Sequence, residues 1–222
     1  MNLITTIAAS LCAISLSSCA TKFTARQKAS LTSVAISDVS VRDGAYSQPS
    51  GADRAAVTNT AIATGGGLVG LLIGESIAAT QNNIFKGNNK QYFETVKSNT
   101  PEISAIVSRT LGSGIKNDPF FGQRLQSSSP NLVKSEVVRY GLVRSGKQDD
   151  GTLLLTPLVS VSFTLHGKDG KKMAGKNYMG TGYNHPVEKY SKDRKEIIKG
   201  YEMATRVAVD QFTADLARMA AD

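Results

Sequence analysis

The 222-residue chain is 41% hydrophobic and 20% charged, which excludes disorder throughout and suits one domain with its own core. Its formal net charge is +8, and residues 1–18 carry no charged side chain, so the excess lies wholly downstream of them. Such an excess favours anionic partners without specifying one.

Leu3 to Leu16 is an uncharged, mostly apolar run. Its length fits the core of a signal peptide and is too short to span a bilayer. It ends in Leu16-Ser17-Ser18-Cys19: an aliphatic residue, two small ones, then a cysteine. A thiol there can take up a diacylglyceryl group as a thioether, and small residues before it let a peptidase cut. The tetrapeptide resembles the lipobox of bacterial lipoproteins. That resemblance implies that residues 1–18 are a signal peptide and that Cys19 is lipidated, its freed α-amine accepting an acyl chain such as palmitate. Cys12 is a poor rival, because Leu11 would put a bulky residue at the cut. With Cys12 removed and Cys19 lipidated, no thiol is left for a disulfide or a metal. Export also argues against nucleic acid as the partner of this basic chain. Ala20 stands where the enterobacterial sorting rule places an inner-membrane retention aspartate, so the resemblance implies the outer membrane, facing the periplasm.

Ala20 to Ser30, with Lys22, Arg26 and Lys28, reads as a tether, giving an anchor and tether over 19–30 and a single domain over 31–222. Leu31 to Val41 is the first expected strand. Val34 and Ile36 share one phase and Val39 and Val41 the other, which calls for a bulge near Asp38. Asp43 to Asp53, with Gly44, Pro49 and Gly51, is a loop.

In the run from Gly65 to Gly74, the residues Gly66, Gly70, Gly74 and Ala78 recur every four positions. On a helix they form a smooth stripe that admits close backbone approach. The apolar run is too short to span a membrane. It suits a buried loop and helix start packed on a sheet, or a segment that self-associates or touches the bilayer. Gly65-x-Gly67-x-x-Gly70 also matches a dinucleotide fingerprint, but no strand precedes it and Lys90 stands where an acid is expected, so that match is rejected. Apolar residues recurring from Leu68 through Val96 predict one long helix. Thr100-Pro101-Glu102 predicts a second start, with Ile103, Ile106, Val107 and Leu111 as its apolar face and Gly112 as its end.

Val133 to Val143 is a strand. From Gly151 to Leu165, Leu153, Leu155, Val159, Val161, Phe163 and Leu165 all take odd positions, so one face of that strand is buried. Pro157 suggests an edge or a bulge. Gly167-Lys168-Asp169-Gly170 is a hairpin turn, and a strand returns from Lys171 to Tyr183. Asp193 followed by Glu196 predicts a capping-box start, and Ile197, Tyr201, Ala204, Ala208, Phe212, Leu216 and Met219 mark one face of a last helix.

The order of elements predicts an α+β domain. Its small, mostly antiparallel sheet of about four strands would be covered by a helix with a Gly-rich start and by the C-terminal amphipathic helix. This order resembles a group of envelope lipoproteins that includes the curli-secretion lipoprotein and the outer-membrane activators of peptidoglycan synthases. The Gly-rich run after the first strand resembles other envelope lipoproteins of unassigned role.

Signals for chemistry are weak. His166 and His185 have no histidine or cysteine at metal-ligand spacing, and there is no Gly-x-Ser-x-Gly elbow. Gly170 to Asn177 nearly matches a phosphate-binding loop, but Asn177 replaces the Ser or Thr and a strand, not a helix, is expected to follow. No catalytic residues and no cofactor or metal are expected. Charge placement is more distinctive. Between His166 and Lys199, nine basic residues oppose four acidic ones. Lys168, Lys171, Lys172, Lys176, Lys192, Arg194 and Lys195 form a candidate docking surface for an envelope protein or an anionic envelope polymer. The expectation is a non-enzymatic lipoprotein that binds or scaffolds another envelope component. The alternative is a self-assembling lipoprotein that uses the Gly66, Gly70 and Gly74 stripe to form a homo-oligomeric ring or touch the bilayer.

Overall fold

The computed structural model describes residues 22–47, 89–148 and 152–221. Cys19 and the stripe Gly66, Gly70, Gly74 and Ala78 lie outside these residues. The described elements run α1 (Ala25–Ser30), β1 (Ala35–Val41), β2 (Tyr46–Ser47), α2 (Asn89–Asn99), α3 (Ile103–Asn117), a 3-10 turn (Gly122–Arg124), β3 (Leu132–Lys147), β4 (Leu153–His166), β5 (Lys172–Thr181), β6 (His185–Pro186), α4 (Val187–Lys192) and α5 (Arg194–Ala220). The fold is α+β.

The sheet has the order β1-β3-β4-β5, with β2 also on β3 and β6 also on β4. β3, β4 and β5 form the expected antiparallel meander. The sheet is mostly antiparallel, as expected, and mixed rather than purely antiparallel, because β1 and β2 both run parallel to β3. Parallel neighbours need a long crossover, and the chain between β2 and β3 supplies it. The register of β1 shifts between Ile36 and Val39, the bulge that the phase change around Asp38 called for.

β4 is the centre of the core. Leu155, Val159, Val161, Phe163 and Leu165 are fully buried on one face, as their alternation requires. Pro157 falls where β4 changes partner. The β5 ladder stops at Leu158–Thr181 and the β6 ladder resumes at Leu155–His185, so the missing Pro157 N–H interrupts no pairing on that side. Its carbonyl accepts from Gly182 N at 2.8 Å.

α5 lies on this face with Ile197, Tyr201, Ala204, Ala208, Phe212 and Leu216 buried. Phe212 stacks on Phe163, ring centroids 5.0 Å apart. Ile103, Ile106, Val107, Leu111 and Ile115 of α3 complete the layer. α3 begins at Ile103, not at Pro101, and it runs on through Gly112 to Asn117 because its apolar spacing continues to Ile115. α4, a single short helix after β6, was not anticipated.

Two glycines set how closely α5 approaches β5. A Cβ on Gly180 would fall 2.0 Å from the Ala204 carbonyl oxygen, and one on Gly182 would fall 2.2 Å from that of Gly200. Helix backbone therefore rests directly on strand backbone.

Candidate interaction surfaces at the two ends of the long helix

The described chain is held from Phe23, the fourth residue after Cys19. Phe23 is buried, and its N–H donates to the Met219 carbonyl at 2.8 Å, near the C-terminal end of α5. Thr24 caps α1 in a reciprocal box with Gln27, and Lys28 Nζ donates to the Ala221 carbonyl at 2.9 Å. Burying a phenylalanine contributes roughly 1.5–3 kcal/mol and a helix cap about 1 kcal/mol, so Phe23 is the larger hold. Asn131 Nδ2 donates to the carbonyls of Ser30 and Ser33, tying the end of α1 to the start of β3. The stretch expected to be a tether up to Ser30 is thus helix and packed chain from Phe23 onward.

The β4–β5 hairpin tip is at this same end. Leu132 opens β3 and pairs with His166, the last residue of β4. Gly170 takes φ +74°, and its N–H donates to the Gly167 carbonyl at 2.8 Å. His166 Nδ1 lies 2.9 Å from the Gly170 carbonyl, which can only accept, so Nδ1 carries the proton. Its Nε2 is 3.0 Å from the Thr164 hydroxyl. Both ring nitrogens therefore hold the hairpin. Lys168, Lys171 and Lys172 are all exposed on the tip, and Lys171 reaches Asp169 only at 4.0 Å. The strand after the tip confirms that Gly170 to Asn177 is no phosphate loop.

Lys176 has a different environment. Its Nζ lies 3.1 Å from Asp215 Oδ2 on α5. The Asp215 carboxylate, buried, also accepts from the Tyr178 hydroxyl at 3.0 Å and pairs with Arg218. Burial pushes the Tyr178 hydroxyl up to about 12. This network serves the α5–β5 packing.

Lys192, Arg194 and Lys195 are exposed at the opposite end of α5. Twenty-seven residues at 1.5 Å each make that helix about 40 Å long. The seven basic residues expected to form one surface are thus divided: three on the hairpin tip, one inside the Asp215 network, three at the far end. Lys192 pairs with Glu188 at 2.5 Å, whereas Lys168, Lys172, Arg194 and Lys195 have no ion pair among the described residues.

Asp193 starts α5, accepting from Lys195 N at 2.9 Å. Glu196, expected to close a capping box, instead collects cations. Lys199 lies 2.9 Å and Lys189 3.2 Å from its carboxylate, with His185 Nε2 at 3.4 Å. Lysine hydrogen bonds hold the Glu196 carboxyl far down, at about 2. The Lys189 ammonium also sits 3.2 Å from His185 Nε2, bridging the two groups. Beside them Tyr183 is 50% exposed, one of two exposed large hydrophobic side chains among the described residues. Tyr190, buried below, donates its hydroxyl to the Tyr183 carbonyl at 2.5 Å and so fixes the backbone that presents it. The sequence puts Tyr183 in one phase with Met173 and Met179, which are half-buried, and opposite to the buried Tyr178.

Between α3 and α5 lies an open cleft of about 410 Å³, its rim carrying Arg109, Glu202, Arg206 and Asp210. Arg109 and Glu202 pair across it at 2.6 Å. Among the described residues no three His, Cys, Asp or Glu side chains cluster to hold a metal, and no helix is long and apolar enough to cross a membrane.

No family model matches the chain. No curated protein matches it either. Solved structures similar to it include a candidate lipoprotein from Caulobacter crescentus, 15% identical, with a TM-score of 0.38, covering 59% of this chain and 96% of that one. A minor lipoprotein from Acinetobacter baumannii is 12% identical with a TM-score of 0.34, covering 54% and 84%. Neither likeness carries a function to this chain.

Proposed function

We propose that this chain is a non-enzymatic lipoprotein of the outer membrane, anchored through Cys19 and facing the periplasm, that binds or scaffolds another envelope protein. The reading is supported by one observation above all: Phe23, only four positions after Cys19 in the sequence, is held at one end of α5, and the other end is about 40 Å away. Anchored there, the far end stands clear of the membrane. It presents an exposed tyrosine among cations, the residue types that dominate interface energetics. An acidic protein surface is the partner this chemistry fits.

The test is a photo-crosslinking residue placed at Tyr183 in cells that make the full chain, with position Lys134 as the control. A discrete adduct from position 183 that Arg194→Glu with Lys195→Glu abolishes is the expected result. An adduct equally strong after charge reversal, or none at all, refutes the docking role.

A further inference from the structure

We propose that the basic hairpin tip is a second membrane contact: it rests on anionic phospholipid headgroups and sets the orientation of the anchored domain. The inference rests on the proposed anchorage at Cys19 for its placement, and on the geometry of the tip for its chemistry.

Phe23 is four steps along the chain from Cys19, a span of at most about 14 Å when extended. Phe23 is held against Met219, so the anchored bilayer lies close to the C-terminal end of α5. How far the hairpin reaches toward that bilayer follows from the Asp215 network, where Lys176 and Asp215 stand level. From Asp215 to Met219 is four helical residues, about 6 Å. From Lys176 back to Lys172 is four strand residues, about 13 Å in the same direction. The tip thus projects roughly as far as α1 or farther toward the membrane.

Its net charge is positive. Lys168, Lys171 and Lys172 are exposed, Asp169 is the acid on the tip, and Lys171 meets it only at 4.0 Å. On α1, at the same end, Arg26 is also exposed. The tip itself is stiff, since His166 bridges Gly170 and Thr164 across it. A rigid cluster of lysines delivered to a surface by a lipid anchor gains roughly fivefold in partitioning per charge against anionic lipid.

Sedimentation of the chain from Cys19 onward tests this, with Cys19→Ser so that no acyl chain contributes. It is mixed at low salt with vesicles of phosphatidylcholine, with or without phosphatidylglycerol. Wild-type sequence is expected to bind only the vesicles that contain phosphatidylglycerol. The combined Lys168→Gln, Lys171→Gln, Lys172→Gln variant should bind on the order of 100-fold more weakly. The far-end variant Lys192→Gln, Arg194→Gln, Lys195→Gln should change binding far less. All six side chains are exposed, so both variants should melt as the parent does. Absence of binding to anionic vesicles, or equal losses in both variants, overturns the inference. Failure of the anchorage reading is seen separately, as an unmodified Cys19 in protein isolated from envelopes.

Discussion

Gly180→Ala adds one methyl group at the closest approach between α5 and β5. The new Cβ would fall 2.0 Å from the Ala204 carbonyl oxygen and 2.9 Å from Val207 Cβ. Ordinary contact needs about 3.5 Å, so the helix must lift by roughly 1.5 Å or the strand must yield. The obstacle is backbone rather than the end of a flexible side chain, and lifting α5 also loosens Phe212 on Phe163. Overpacking costs about 1–3 kcal/mol, and this site belongs at the upper end of that range. For a domain of this size the expected result is a fall in melting temperature of about 5–10 °C. Gly112→Ala is the matched control. It lies inside α3, a Cβ there meets nothing within 4 Å, and alanine suits a helix better by roughly 0.5–1 kcal/mol. Its melting temperature should rise by about 2 °C. Thermal denaturation of both variants decides the matter. If Gly180→Ala melts with the parent, or Gly112→Ala melts below it, the packing described for α5 is wrong.

Two further outcomes follow from charge and burial. Glu196 is held near 2, below its ordinary 4.5, so its contribution to stability is present above 4.5 and is lost as pH falls toward 2. Glu196→Gln should therefore flatten the acid limb of a melting-temperature profile between those values, and an unchanged limb would remove the Lys189–Glu196–Lys199 cluster as its cause. The Tyr178 hydroxyl is raised from 10 to about 12, so stability is fully present below pH 10 and declines as pH climbs to 12. Tyr178→Phe should lessen that alkaline decline while lowering stability at neutral pH by about 1–3 kcal/mol, since Asp215 loses a donor. Equal alkaline slopes in both proteins would contradict this.

What the sequence made legible was local. The odd-position alternation of β4 and the seven-residue face of α5 are short-range periods, and the buried side chains follow them closely. The bulge in β1 was legible for the same reason, as a change of phase. Long-range relations were not. The parallel pairing of β1 with β3 depends on a crossover that no local pattern encodes. Tyr178 and Asp215 meet across 37 positions, so Lys176 looked like one more surface lysine. Phe23 sits in a polar stretch, and only its place against Met219 explains its burial. Glycine spacing was read at Gly66, Gly70 and Gly74, whereas the described close approach is at Gly180 and Gly182. Two glycines alternating on one strand face were the available signal. A run of basic residues along the sequence did not foretell one surface, because a strand and a long helix carry its two ends apart.

The most direct test of the account is the intact mass of the protein isolated from cell envelopes, beside that of Cys19→Ser. Cleavage before Cys19 and a mass increase equal to a diacylglyceryl group plus an amide-linked acyl chain is the predicted result, with the serine variant carrying neither the cut nor the added mass. A chain that keeps residues 1–18, or one cut elsewhere with Cys19 unmodified, would contradict it.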